Sequence, residues 1–111
     1  MSDGQLMERL LDSLKDPMVF VDSEHVIRYM NKAAVVAHEG GLGLIGCSLF
    51  DCHNEESKTR ILSLFPRLEA GEDEILIVEE PRRRIYMRAV RDESGRLLGY
   101  YERYEEDSRS V

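Results

Sequence analysis

Leu6, Leu10 and Leu14 recur at four-residue spacing, with Met7 and Leu11 beside them, so the chain opens on a single apolar stripe. Ser2 and Gln5 stand ahead of it at the spacing of a capping box. The pattern predicts an amphipathic helix over residues 1–16. Asp16-Pro17 ends it, because proline cannot continue the hydrogen-bond ladder and restricts the residue before it. The apolar period then shortens. Met18–Asp22 and Val26–Met30 read as short strands joined by a turn-like Asp22-Ser23-Glu24-His25. Lys32–His38 predicts a short helical patch, and the glycine-rich run 40–46 a flexible connection.

A second helix is expected from Asn54, a good N-cap, with Glu55 and Glu56 at the positive end of its dipole. Ile61, Leu62, Phe65 and Leu68 form its core face, and Gly71 suits its C-terminal stop. Pro66 lies inside that pattern and predicts a kink or break. Three strands close the chain, near Glu74–Glu79, Arg84–Arg91 and Leu97–Tyr104, the last two joined by Asp92-Glu93-Ser94-Gly95. Strands and helices that group without alternating regularly imply an α+β fold with a mainly antiparallel sheet. The expected organisation is an N-terminal helix over 1–16, a core over 17–106, and a disordered tail over 107–111.

Length and composition add limits. At 111 residues, with 42% hydrophobic side chains, the chain suits one domain with one core. No run approaches the ~20 apolar residues of a membrane span, and a basic, then apolar, leader is missing, so a cytoplasmic protein is expected. A net charge of −7 argues against nucleic acid, and Arg82-Arg83-Arg84 reads as a solvated strand entrance. Cys47 and Cys52 are expected as reduced, small buried cysteines in a packed turn. Gly41 to Gly46 spells G-x-G-x-x-G, but it follows a helical patch outside any βαβ unit, so a mobile loop is expected. The spacing of Cys47, Cys52 and His53, even with His38, fits no zinc motif. Neither a nucleophile with its base nor a carboxylate pair stands out, and no enzyme is expected.

Three segments carry a resemblance over about Leu10 to Glu105: "DPMVFVDSEHVIRYMNKAA", "GLIGCSLFDCH" and "IYMRAVRDESGRLLGYYERYEE". In that order and spacing the chain resembles a PAS domain. The marks are a strand pair ending at Asn31 before a short helix, a G-x-S-L-F-D turn, and a last hairpin with D-x-x-G-x-L-x-G at Asp92–Gly99. The resemblance implies a five-stranded antiparallel sheet with helices on one face and an N-terminal amphipathic helix. It implies sensing of a small ligand held between sheet and helices. The usual D-[IV]-T exit is replaced by Arg103-Tyr104-Glu105-Glu106, and with the sequence ending at Val111 any output domain is expected either in a separate protein or outside these 111 residues.

"DCHNEESKTRI" is similar to the H-P-x-K/E-S helix opening of a PAS subgroup that includes haem-binding, carbon-monoxide-responsive regulators. The resemblance implies haem b with His53 and Met87 as the axial iron ligands, although Asn54 replaces the usual proline and other members carry the histidine without haem. Alternation independently puts Ile85, Met87 and Ala89 on the apolar face of their strand, and an imidazole with a thioether is an accepted axial pair. A core methionine needs no cofactor, and His53 beside a helix start also suits a hydrogen-bonded structural role. The alternative function is a ligand-free module that homodimerises through Leu6, Leu10 and Leu14 or docks a signalling partner, with Tyr86, Arg88 and Tyr101 adding a sheet-face contact.

Overall fold

The computed structural model describes residues 1–51 and 54–106; Cys52, His53 and the expected tail 107–111 lie outside the described residues. Its elements are α1 (Asp3–Asp12), β1 (Val19–Asp22), β2 (Ile27–Met30), α2 (Lys32–Ala37), α3 (Glu55–Glu69), β3 (Glu74–Glu80), β4 (Arg83–Arg91) and β5 (Leu97–Glu106). The five strands form one antiparallel sheet in the order β2-β1-β5-β4-β3. The chain therefore builds one edge hairpin first, crosses through α2 and α3, and returns to complete the sheet from its far edge. The α+β expectation with five antiparallel strands and an N-terminal helix stands.

α1 has the full capping box: the Ser2 hydroxyl accepts from the Gln5 amide, and the Gln5 side chain accepts from the Ser2 amide. It ends at Asp12, four residues ahead of the expected stop at Asp16-Pro17. Ser13 caps it, with its hydroxyl donating to the Leu10 carbonyl at 2.6 Å. No residue of α1 is buried. It is tied to the core through Asp12, which accepts from the Tyr29 hydroxyl and the Lys32 amide.

Asn31 is the joint of this half of the molecule. It is 0% exposed, and all its hydrogen-bonding groups are used. Its Oδ1 accepts from the amides of Met18 and Ala34, so it caps α2; its Nδ2 donates to the carbonyls of Leu11 and Asp16.

α3 runs unbroken through Pro66 to Glu69, against the expected break. Pro66 sits near the C-terminus, so the ring forfeits one ladder bond in the last turns and leaves the longer N-terminal part intact. Gly71, at φ 118, supplies the left-handed residue beyond the cap, and the Glu72 amide bonds back to the Arg67 carbonyl. Phe65 and Leu68 of α3 and Ala34 of α2 pack on Val21, Ile27, Met30, Ile75, Met87 and Tyr100 of the sheet as one core. Gly99 makes that sheet close. A Cβ there would land on the Val21 carbonyl oxygen and within 2.8 Å of the Asp22 Cα, so only glycine lets β5 lie against β1.

Candidate functional site

β4 and β5 decide which side chains face the helices. Directly opposed residues of an antiparallel pair project to the same side, and here Ile85 opposes Tyr104, Met87 opposes Glu102, and Ala89 opposes Tyr100. Ile85, Met87 and Tyr100 are buried, so this is the core face, as the alternation within 84–91 predicts. Glu102 stands on it too.

Between that face and α3 lies a cavity of about 220 Å³. Val19 and Val21 of β1, Ile27 and Met30 of β2, Ile77 and Val78 of β3, and Met87 of β4 give its apolar wall. A register shift between Leu76 and Val78 explains why consecutive residues of β3 both reach it. Ser57, Arg60, Ile61 and Leu64 of α3 form the facing wall, and Leu44 and Leu49 contribute from the connection between α2 and α3. That connection, expected as a flexible loop, contains a 3-10 turn over Gly41–Leu44. Residues with polar groups on the lining are His38, Ser57, Arg60, Tyr100, Glu102 and Tyr104, and Tyr101 borders it from a position whose side chain projects to the other face of the sheet.

Met87 is 2% exposed, on the floor of this cavity. Its expected partner His53 lies outside the described residues. Cys47, expected to be buried, is exposed, because it sits in the surface turn after Gly46 with its thiol pointing to the Gly43 carbonyl. Among the described residues no group of histidine, cysteine and carboxylate side chains is placed to hold a metal ion. No helix among them is long and apolar enough to cross a membrane.

Sequence reasoning left His25 in a turn. It occupies that turn at φ 64, a left-handed conformation, and from there its ring enters the domain. The ring lies 4.8 Å from that of Phe50 and 4.7 Å from that of Phe65, with Tyr100 on a third side at 5.8 Å. Nδ1 shares a 2.8 Å hydrogen bond with the Tyr100 hydroxyl. Burial pulls the imidazole below its ordinary value, against the Asp22 and Glu69 carboxylates. Burial also pushes the Tyr100 phenol up, with Glu102 and Asp22 adding to it, and pushes Tyr104 up to about 12, helped by Glu102. No local motif marks His25, whose partner is 75 residues away. Glu102 was readable, since it shares the parity of Tyr100 and Tyr104, but the surrounding acids made it look like solvated charge.

A family model described as the PAS fold matches residues 11–108. A search of the curated proteins finds no match. Among solved structures, the chain is similar to the C-terminal domain of a Streptococcus mutans protein, with a TM-score of 0.76 and 19% identity over 93% of this chain and 84% of that one. A sensory box sensor histidine kinase from Vibrio cholerae gives a TM-score of 0.63 and 15% identity, over 96% and 93% of the two chains. The Aer2 receptor of Vibrio cholerae, described as a dual PAS-heme oxygen sensor, gives 0.53 and 17%, over 83% and 94%.

Proposed function

This chain belongs to the PAS fold family, and from that premise we propose that it is a sensory module whose signal is a small ligand taken into the cavity between sheet and α3. The observation that carries the reading is the cavity itself: about 220 Å³, walled by aliphatic side chains, with a few convergent polar groups. Such a chamber recovers the hydrophobic free energy of an apolar body, while the polar groups set its orientation. α3 forms one wall and the sheet the other, so a ligand touches both elements that could pass a change in packing to a partner protein.

The test uses 3-methylbutan-1-ol, a neutral apolar probe, followed through the methyl resonances of Met30 and Met87. Saturable shifts of both methyls are expected, and in Met87→Trp, which fills the floor, the remaining Met30 methyl should no longer move. Unmoved methyls throughout the titration overturn the proposal.

Haem b held by His53 and Met87 is a second reading, favoured by the Met87 thioether on the cavity lining and by the haem named in the Aer2 receptor. The volume weighs against it, since cofactor pockets usually occupy roughly 300–1,000 Å³ and this chamber would have to widen. With hemin, a sharp Soret band that shifts in both His53→Ala and Met87→Leu supports this reading; one broad band common to all three proteins sinks it.

The exposed face of α1 supports homodimerisation as a further role. Leu6, Met7 and Leu10 lie on it, Leu10 being 52% exposed, with Leu14 exposed just beyond the helix end, and a second copy of the helix would cover them. Leu10→Glu with Leu14→Glu should convert a dimer to a monomer in sedimentation; an unchanged mass rejects the pairing.

A further inference from the structure

Two opposite charges line the apolar cavity, and neither has an ion-pair partner among the described residues. Glu102, half-buried, comes from β5 opposite Met87 on the core face, and Arg60, an exposed residue that borders the cavity, from α3 on the facing wall. The ion pairs among the described residues take in seven arginine contacts, and neither Arg60 nor Glu102 is in any of them. The neighbouring Arg103 goes to Glu74 and Glu105 instead, on the other side of the sheet. Glu102 receives one hydrogen bond, from the Tyr104 hydroxyl to Oε2 at 3.1 Å. Oε1 has no protein donor among the described residues.

A half-buried carboxylate on an apolar face gives up part of its hydration, and one phenol returns a single hydrogen bond. A cation would replace it, and Tyr100 and Tyr104, which flank Glu102 on the same face, suit one: ring faces carry negative charge density toward an ammonium group. Arg60 is the complementary case, a planar fork of donors suited to a carboxylate. Resting on the cavity proposal above, we propose that the ligand is a small zwitterion with an apolar body, its ammonium group on Glu102 and its carboxylate on Arg60.

Five probes separate the contributions, followed through the Met30 and Met87 methyls. L-leucine has its charges adjacent and 6-aminohexanoate has them apart; isoamylamine and 4-methylpentanoate carry one charge each; 3-methylbutan-1-ol carries none. At least one zwitterion should bind about tenfold or more tighter than either singly charged probe. Glu102→Gln should erase the gain from the ammonium group and leave 4-methylpentanoate unaffected, and Arg60→Met should do the converse. Both positions retain solvent contact, and unchanged melting curves would show that the variants fold. Equal binding of zwitterions and singly charged probes, or zwitterion binding indifferent to both variants, overturns the proposal. Shifts from the alcohol alone sink the zwitterion and leave the cavity reading standing, while shifts from none of the five sink both.

Discussion

The imidazole of His25 and the phenol of Tyr100 meet at 2.8 Å, joining the first hairpin turn to the last strand between the rings of Phe50 and Phe65. Because Tyr100 also lines the cavity, this contact ties the chamber wall to the turn and to α3.

That contact predicts a pH dependence. The folded protein holds His25 below its ordinary value of 6.5, chiefly through burial, so the unfolded chain binds a proton more readily. Stability should therefore fall as pH drops from 6.5 through the folded value. Asp22 does not confuse this window. Burial pushes its carboxyl up, but Arg28 and the Val26 and Glu24 amides together hold it below 3.8, so its contribution is lost only at lower pH. Urea unfolding of wild type at pH 7.5 and 5.5 should show the loss. In His25→Asn, which tolerates the left-handed backbone, the difference between the two pH values should disappear; an unchanged difference assigns it elsewhere.

Asn31→Ala should cost about 2–4 kcal/mol, because it strips partners from two amides and two carbonyls in a buried joint. Asn31→Asp keeps both accepting contacts and loses both donated ones, so it should fall between wild type and alanine. Chemical denaturation measures both, and alanine within about 0.5 kcal/mol of wild type would contradict the joint.

Gly99→Ala should cost about 1–3 kcal/mol or more, since the added methyl collides with the backbone of β1. Hydrogen exchange should speed up at the amides joining β1 to β5 before those joining β3 to β4. Uniform exchange across the sheet would mean that the close approach is relieved without parting the strands.

Much of this architecture was legible from periodicity and punctuation. The capping box at Ser2 and Gln5, the cap at Asn54, the inward Met87 and the Asp92–Gly95 turn are local signals, written within a few residues. The differences arise where local rules compete. Pro66 reads as a breaker, yet it falls where few helical turns remain to be broken. Pro17 reads as the stop for α1, but Ser13 closes the helix first. Cys47 reads as buried because small thiols usually are, whereas its turn faces solvent. The site was less legible: His25 owes its setting to a strand 75 residues away, and Glu102, readable by parity, was masked by the acids around it.

Arg91 binds the far end of α3. Its Nη2 donates to the carbonyls of Leu68 at 2.7 Å and Glu72 at 2.8 Å, and its Nε to Asp73. Arg91→Met should cost about 1–3 kcal/mol and raise hydrogen exchange around residues 67–73. Loss of stability without faster exchange there would place the effect outside this tether.

Mechanically, that tether makes α3 a beam clamped at one end. Its buried side chains, Phe65 and Leu68, lie near the clamp, while Ser57 and Arg60 border the chamber from the outer arm. Fifteen residues give the beam a length of about 22 Å, so a small push from within is magnified toward Asn54 and barely felt at Glu69.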